Sequence, residues 1–559
     1  MTTDLFLNID AGAINWARAQ FALTAIYHWL FVPLTLGLAV IMGICETLWY
    51  RQLNRSKGTV AGNAADTFWR DTAQFWQKLF GINFAMGVAT GIILEFEFGT
   101  NWSNYSWLVG DIFGAPLAIE GIVAFFMEST FVAVMYFGWK KVSPGFHLAS
   151  TWLTGLGATI SAWWILVANA WMQNPVGCQF NPDTMRTEMV DFMAVAFSPF
   201  AVGKFCHTVI SSWIIGAIFV VAVSCWYLMK RREERLAVES IKIATVVGLI
   251  ATVGAALTGH ISGQQVAKAQ PMKLAAMEAL YNGGTDQGLT AVAWVNPFCQ
   301  PDYENLPAAP LKIDMPYALS IMATNDAHGF VPGINDILNG YTTPDGKVEP
   351  SVDEKMVRGK KAITALSAYR KAKKEGNEPM ASTALQVLRE NIQYMGYGYV
   401  KDRKDVVPYV PVNFWAFRIM VGLGCLFIAF FAVLLLLTFN IPYLSVITRR
   451  LLATFGLLPE THADVHHITG LPDWHYWAAI VLVPLAYIAS ESGWLVAEFG
   501  RQPWTIQDML PTWAGVSDIG GASVALTFFL FLFLFTLMLG VEINILLKQI
   551  KKGPEYTEK

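Results

Sequence analysis

Nine long apolar stretches run through this 559-residue chain, and each is about as long as a helix that crosses a membrane. Such a helix needs roughly 20 apolar residues to span a hydrocarbon layer ~30 Å thick. With 54% hydrophobic residues and a mean hydropathy of +0.41, the chain is too apolar for a soluble protein of this size. We predict an all-α polytopic membrane protein with nine transmembrane helices. The predicted spans lie near residues 20–46, 79–98, 114–139, 147–172, 204–229, 241–260, 414–440, 474–498 and 522–547.

One long polar segment separates the sixth span from the seventh. The pattern predicts helices 1–6 in residues 1–260, a large outer-face loop in 261–411, and helices 7–9 with a cytoplasmic tail in 412–559. Within the loop, residues 352–396 intersperse Lys and Glu among Leu, Ala and Tyr, which favours partial helical order.

Basic residues follow every odd-numbered span, whereas the intervening short loops hold few. By the positive-inside rule, the N-terminus and the long loop lie outside and the C-terminus lies in the cytoplasm. Residues 1–19 contain Asp4, Asp10 and one base, Arg18, so no cleavable signal peptide is expected. The orienting bases are Arg51, Arg55, Lys57, Arg70, Lys140, Lys141, Lys230, Arg231, Arg232, Arg235, Arg449, Arg450, Lys548, Lys551 and Lys552.

Charge and cysteine content bear on partners and redox chemistry. A formal net charge of -3 without a basic stripe outside the short loops gives no reason to expect a nucleic-acid partner. The six cysteines form no CxxC pair and no zinc spacing. Cys178 and Cys299 are both predicted outside, where disulfides persist. The sequence leaves two alternatives for this pair, a disulfide bridge or two free thiols.

Four residues that can hold a haem iron fall at a similar predicted depth near the outer face: His28, His207, Met420 and Glu498. Imidazole and thioether form the usual ligand pair of a low-spin, electron-passing haem, a role that fits His207 and Met420. A single His or carboxylate can hold a haem that binds oxygen, which fits His28 and Glu498. Taken singly, each residue is as consistent with helix packing or solvation as with iron ligation.

Other ionisable residues also lie within the spans. Glu120 and Glu128 are about 12 Å apart along an ideal helix, so they are either steps of a proton relay or carboxyls bonded to neighbouring helices. In the eighth span, residues at i, i+3, i+7 and i+10 form a stripe able to ligate and flank a porphyrin. This stripe consists of Glu491, Trp494, Glu498 and Arg501.

Two patterns that resemble motifs have simpler explanations. The run 462–467 contains three histidines, but it lies in a short cytoplasmic loop with no further ligands nearby, so a solvated loop is expected. Gly87, Gly91 and Gly155 are helix-packing residues and not part of a phosphate loop, because no strand precedes them.

Several long segments closely resemble subunit I of the bacterial cytochrome bd ubiquinol oxidases, and the resemblance covers nearly the whole chain. The segments are RAQFALTAIYHWLFVPLTLG, KLFGINFAMGVATGIILEFEFGTNW, GDIFGAPLAIEGIVAFFMEST, WILVANAWMQNP, VGKFCHTV, FWAFRIM and ESGWLVAEFGRQPW. The resemblance implies two haems b and one haem d, or three haems b.

The resemblance also implies residue roles. His207 and Met420 would ligate the low-spin haem b, with Arg418 beside it. His28 and Glu498 would ligate the two haems of the oxygen-reducing site. Glu491, Trp494 and Arg501 would lie near that site, and Glu120 and Glu128 would belong to the proton path.

The segment MKLAAMEA resembles the family's quinol-binding segment and implies Lys273 and Glu278 as quinol-binding residues. A cation and a carboxylate can each bond a quinol oxygen, and the carboxylate can accept a proton. One departure lies upstream, where GHISG places His260 at a position usually held by an acid. The later half of the loop resembles the long-loop form of the family.

As a whole, the resemblance implies a subunit that oxidises quinol at the outer face of the bacterial inner membrane and reduces dioxygen to water. The protons consumed in water formation would come from the cytoplasm. This uptake would generate a proton motive force without pumping. A second large membrane subunit (subunit II), and in some cases small single-span subunits, would complete the complex. Two alternatives remain: an ion-coupled transporter without haem, and a haem-bearing sensor or assembly subunit without turnover.

Overall fold

The computed structural model describes residues 11–56, 67–439 and 468–555. Within these ranges, nine helical segments are long and apolar enough to cross a membrane, which confirms the predicted all-α polytopic class. The helices are α1 (Ala11–Ser56), α2 (Phe68–Thr100), α3 (Ser103–Ile119), α4 (Phe126–Phe137), α5 (Pro144–Gln173), α6 (Phe192–Ala196), α7 (Pro199–Met229), α8 (Glu234–Ala269), α9 (Pro271–Glu278), α10 (Ala318–Thr324), α11 (Ile334–Asn339), α12 (Val352–Lys374), α13 (Glu378–Asn391), α14 (Val410–Thr438), α15 (Asp473–Phe499), α16 (Thr512–Gly515) and α17 (Gly521–Lys552).

The helices extend past the apolar windows that predicted them, because a helix continues into the polar layer once it leaves the hydrocarbon. The first has 46 residues, or ~69 Å at ~1.5 Å per residue. Two spans begin at a serine cap followed by proline, a combination that fixes the helix start. Ser143 accepts a hydrogen bond from the Phe146 N–H before α5, and Ser198 accepts one from the Ala201 N–H before α7.

The third span is not a regular α-helix. A π-helical segment, Glu120–Phe125, joins α3 to α4. A π segment inserts one residue into the helix, so eight residues complete about two turns instead of overshooting them by roughly 80° at about 100° per residue. Glu120 and Glu128 are therefore closer to one face than a regular helix would place them.

Helix α7 lies at the centre of the bundle and packs against α1, α5, α8 and α15. It approaches α1 most closely at Gly37 and Gly216, where a Cβ on either residue would collide with the other backbone. Small residues at such crossings let two membrane helices pack closely.

Four two-stranded antiparallel sheets occur in the described connections. The long polar segment contains α9 to α13, so the predicted helical order in 352–396 is confirmed. Since α8 continues to Ala269 and α14 begins at Val410, the non-spanning segment begins later than residue 261. The strands are β1 (Cys178–Asn181), β2 (Arg186–Met189), β3 (Leu289–Val292), β4 (Ile313–Met315), β5 (Tyr341–Thr342), β6 (Val348–Glu349), β7 (Trp504–Ile506) and β8 (Leu510–Pro511).

Two predictions outside the spans have different outcomes. Cys178 and Cys299 are free thiols, so the open alternative of a bridge between them is wrong for this structure. The histidine run 462–467 lies outside the described residues.

Candidate functional site

Both candidate histidine ligands are held in the same way by a threonine on the next helix. His28 Nδ1 lies 3.0 Å from Thr90 Oγ1, and His207 Nδ1 lies 3.0 Å from Thr258 Oγ1. Each threonine hydroxyl donates its one proton to the carbonyl four residues earlier in its own helix, at 3.0 and 2.8 Å. The threonine oxygens therefore accept from Nδ1–H, which leaves the Nε2 lone pair of each ring available as an iron ligand.

His147 shows the opposite arrangement, which is typical of a structural histidine. Its Nδ1 lies 2.6 Å from Glu46 Oε1, and its Nε2 lies 3.0 Å from the Met135 carbonyl oxygen. Both nitrogens are used within the protein and the ring is buried. Hydrogen bonding thus separates the candidate ligands from this structural histidine, a distinction that sequence alone does not make.

Glycines lie beside three of the four candidate ligands. A methyl group at Gly91 would come within 3.0 Å of His28 Cε1, and one at Gly259 within 3.4 Å of His207 Cε1. On α15, a methyl group at Gly493 would come within 3.1 Å of Met420 Sδ. The absence of side chains at these positions leaves space beside the ligand atoms, as a flat group such as a porphyrin requires.

Glu498, the fourth candidate, lies in a cluster rich in cations. Its Oε1 accepts hydrogen bonds from Asn169 Nδ2 at 3.0 Å and Gln173 Nε2 at 3.3 Å. Its Oε2 accepts from Arg501 Nη2. Lys204 donates to Asn169 Oδ1 and so lies one amide away from Glu498. A carboxylate has about four lone-pair sites, so Glu498 retains acceptor capacity for a metal.

Trp494 links the two histidine-bearing helices to α15. Its ring lies 5.2 Å from that of Trp29, the residue after His28, in an edge contact. Lys204 Nζ lies 5.4 Å from the centroid of the same ring. The indole of Trp29 also donates to Ser490 Oγ at 2.7 Å. Parts of the predicted site on α1, α7 and α15 therefore meet around one tryptophan.

The predicted stripe on α15 is partly continuous. Glu491 has a buried oxygen without a hydrogen-bond partner among the described residues. Arg501 lies just beyond the end of α15, yet it turns back to pair with Glu498 and also donates to the Thr505 carbonyl oxygen. Its Nε is buried without a partner within the described part of the chain.

The two glutamates of the third span both face α5. Ser161 Oγ donates to Glu120 Oε1 at 2.6 Å, whereas Glu120 Oε2 is buried without a partner in the described ranges. Glu128 packs directly against Gly157, where there is no room for a Cβ. The two contacts on α5 are four residues apart, one helical turn, so one face of α5 lines both carboxyls.

The structure assigns different surroundings to the two predicted quinol-binding residues. Lys273 and Glu278 are only 2% and 1% exposed. Glu278 Oε2 accepts from Arg418 Nη2 at 2.8 Å and from the Thr290 N–H at 3.2 Å. Burial raises the pKa of Glu278, and the Arg418 guanidinium opposes that rise. Arg418, expected beside a haem, is thus also the ion-pair partner of Glu278.

Lys273 points away from Glu278, toward the Glu498 cluster. It donates to Gln173 Oε1, which belongs to the amide that donates to Glu498. His260, where the sequence departs from the family pattern, lies 2.9 Å from Gln264 Nε2 through its own Nε2. The predicted quinol-binding residues are therefore linked to the predicted haem-site residues in two ways. Glu278 contacts Arg418 directly, and Lys273 reaches Glu498 through Gln173.

Several polar residues of this region were not found by sequence reasoning. Lys204 is three residues before His207, near the end of a predicted span, where a cation resembles an ordinary interface residue. Asn169 and Gln173 are uncharged, and only their contacts with Glu498 reveal them. Glu97 is buried and accepts from Thr24 Oγ1 at 2.5 Å. The signal that could have found Glu97 and Lys204 is their charge within a span.

The family model for cytochrome bd terminal oxidase subunit I matches residues 16–554. The chain belongs to this family. Its resemblance to the bd oxidases, drawn from the motifs, is therefore confirmed for almost the full length.

Characterised relatives agree with this assignment over nearly their whole lengths. The chain is 39% identical over 548 residues to cytochrome bd-II ubiquinol oxidase subunit 1 of Escherichia coli (strain K12), covering 97% of each chain. It is 32% identical over 541 residues to cytochrome bd ubiquinol oxidase subunit 1 of Bacillus subtilis (strain 168), covering 97% of this chain and 94% of that one.

A solved bd oxidase from Geobacillus thermodenitrificans has the same fold. It matches with a TM-score of 0.71 at 21% identity, over 97% of this chain and 99% of that one. At this identity the match concerns the fold alone.

Proposed function

We propose that this bd-family chain is the haem-bearing subunit of a quinol:oxygen oxidoreductase. It would oxidise quinol at the outer face of the bacterial inner membrane and reduce dioxygen to water. The observation that carries the proposal is the pair of histidines whose threonine partners leave Nε2 available, in a chain 39% identical to a ubiquinol oxidase subunit. Two quinols and one dioxygen give two quinones and two waters, so electrons and protons balance.

The described residues fit haem at two places. His207 and Met420 would hold a low-spin haem b, and His28 and Glu498 would hold the two haems of the oxygen-reducing site. Glycine beside three of these residues and unpartnered buried nitrogen on Arg501 support the fit. When bound, haem supplies the electron carriers and the iron at which oxygen is reduced. The set would be two haems b and one haem d, or three haems b.

Three cations and one carboxylate in the Glu498 cluster suit anionic groups. Lys204, Lys273 and Arg501 surround Glu498 within one or two hydrogen bonds. A buried excess of positive charge is unfavourable unless negative charge compensates it. Haem propionates have the required charge, and these cations would bind and orient them.

Proton delivery is the proposed role of the glutamates facing α5. Glu128 would pass protons drawn from the cytoplasm to Glu120, whose Oε1 is held by Ser161. Quinol would release its protons outside, near Lys273 and Glu278. The resulting separation of charge generates a proton motive force without a pump, and it requires the N-terminus and the long polar segment outside and the C-terminus inside.

The subunit would act within a larger complex. The proposed partners are a second large membrane subunit, subunit II, and in some forms small single-span subunits. No nucleic-acid partner is proposed, and lipid would surround the complex.

A reduced-minus-oxidised spectrum of the purified complex, together with oxygen uptake driven by reduced ubiquinone, tests the function. We expect haem bands and quinol-dependent oxygen uptake. Purified protein without haem would favour the ion-coupled transporter, whereas haem without oxygen uptake would favour the sensor or assembly subunit.

In Met420→Leu, the low-spin haem b signal should be lost or shifted. Met135→Leu, at a buried methionine on α4, is the control and should keep the wild-type spectrum.

A further inference from the structure

Lys273 is fully engaged by hydrogen-bond acceptors. Its Nζ donates to Gln173 Oε1 at 2.6 Å, to Gln270 Oε1 at 2.8 Å and to the Ala497 carbonyl oxygen at 2.9 Å. An ammonium group has three protons and no lone pair, so these three acceptors match its charged form. The side chain is buried, yet no carboxylate of the described residues contacts it directly.

Two glutamines extend from this ammonium to a carboxylate in the turn between β7 and β8. Gln270 Nε2 donates to Gln507 Oε1 at 3.0 Å, and Gln507 Nε2 donates to Asp508 Oδ1 at 3.0 Å. The two ends determine the orientation of both amides, because Lys273 can only donate and an ionised Asp508 can only accept. The two amide dipoles are therefore aligned, and Lys273 and Asp508 form an ion pair bridged by two amides.

A second, shorter bridge runs from Lys273 to the candidate iron ligand. Gln173 accepts from Lys273 and donates to Glu498 Oε1 at 3.3 Å. Lys273 thus lies between two carboxylates and reaches each of them through amides. Loss of negative charge at Asp508 would leave the lysine with compensation on the Glu498 side alone.

The long polar segment completes the outer end of the bridge. Tyr397 OH donates to Asp508 Oδ1 at 2.8 Å, and Gly396 packs against the Asp508 backbone so closely that a Cβ would not fit. Asp508 itself has a left-handed φ of 59°, a conformation that Asp tolerates better than most residues. Burial raises the pKa of Asp508, whereas Lys355 and the hydrogen bonds from Tyr397 and Gln507 lower it.

We propose that Asp508 is a positioning residue for quinol binding, which acts by holding the Lys273 ammonium through the Gln270–Gln507 amide bridge. The inference rests on the proposed function, in which Lys273 binds a quinol oxygen. To bind quinol, Lys273 must exchange one of its present acceptors, and the bridge sets where the ammonium lies when it does so. Tyr397 extends this control to the long polar segment.

The test is steady-state oxidation of reduced ubiquinone by the purified complex. Asp508→Asn should raise the quinol KM by about tenfold, because the amide oxygen can still accept from Gln507 but no longer supplies the negative charge of a charge-assisted hydrogen bond. The kcat should stay within about twofold, because Asp508 contacts no reacting atom. Asp508→Glu should restore most of the affinity, and the haem spectrum should be unchanged in both variants. The control is Glu304→Gln, an acid of the same polar segment that pairs with Arg403 and Lys404 and has no link to Lys273.

A double variant tests the bridge independently of any one substitution. If both residues act through the same bridge, Gln507→Leu combined with Asp508→Asn should raise KM no further than Gln507→Leu alone. Additive effects, or an unchanged KM in both single variants, would overturn the proposal. If Asp508→Asn does not fold, Gln507→Leu and Tyr397→Phe make the same test, with unchanged KM in both overturning it. A wild-type complex that does not oxidise quinol would instead reject the proposed function.

Discussion

At the scale of single residues, hydrogen bonding to the second ring nitrogen separates candidate ligands from structural histidines. The hydroxyl groups of Thr258 and Thr90 each donate their only proton to a carbonyl oxygen of their own helix. Each hydroxyl oxygen therefore accepts a hydrogen bond from the Nδ1–H of its histidine. No sequence rule singles out these threonines, because threonine within a membrane helix commonly donates to its own backbone. Candidate ligands were predictable from residue type, but their orienting partners were not.

Thr258→Val should weaken retention of the haem that we propose His207 holds. Valine keeps the shape of threonine but offers His207 Nδ1 no acceptor, and loss of such a partner typically reduces metal affinity by about 10–100-fold. Haem content per protein and the low-spin spectrum measure this effect. Thr252→Val, a buried threonine on the same helix that bonds the Leu249 carbonyl oxygen, is the matched control and should retain haem. Equal haem content in the two variants would contradict the assignment.

The buried pair of Arg418 and Glu278 should show strong coupling in stability. Glu278→Leu alone or Arg418→Met alone leaves the other charge without its counter-charge, and breaking a buried pair costs about 3–5 kcal/mol. Replacing both residues, with Arg418→Met and Glu278→Leu, should recover much of that loss, since no isolated charge remains. Thermal unfolding midpoints of the purified variants measure both effects. If the double variant were as unstable as the sum of its singles, the two residues would not form an energetically coupled pair.

At the scale of elements, the apolar windows predicted all nine spans found in the described residues, but not the helix ends or the π segment. Hydropathy marks the part of a helix within lipid, while caps and loop packing decide where the helix stops. The π segment Glu120–Phe125 has no residue signature, because a turn of this kind depends on how neighbouring helices pack. Likewise, the cation cluster around Glu498 arises from four separate elements and could not be assembled from spacing alone.

Glu120 and Glu128, the two glutamates that face α5, should carry the protons used in oxygen reduction. Glu120→Gln and Glu128→Gln should each slow oxygen reduction by about 10²-fold, the lower range for removal of a positioned proton-transfer group. The low-spin haem spectrum should stay unchanged. Glu542→Gln is the control, because Glu542 is a buried carboxyl on α17 without a proposed role. A rate in the Glu128 variant equal to that of the control would remove this residue from the proton path.

At the scale of the whole molecule, the sidedness proposed from loop charges is open to a direct test. Cys299 is an exposed thiol in the long polar segment. In a variant with no other cysteine, a membrane-impermeant maleimide should label it in intact spheroplasts. A cysteine placed by Lys140→Cys, in the exposed turn between α4 and α5, should be labelled only after lysis. The reverse pattern would invert the proposed topology and the direction of charge separation.

Because of the inserted residue in the third span, the number of residues between Glu120 and Glu128 does not by itself determine the angle between them. Deleting one residue within 121–125 would leave the hydropathy profile almost unchanged, and the span would still cross the bilayer. It would also convert the π turn to a regular α-helix, in which Glu120 and Glu128 keep nearly the same relative angle, because seven α-helical residues complete about two turns. Sequence comparison that scores residue identity would record a single gap here, although the angular phase that brings both carboxyls to α5 would be kept. The same eight-residue spacing in a regular α-helix would instead turn Glu120 by about 100° relative to Glu128.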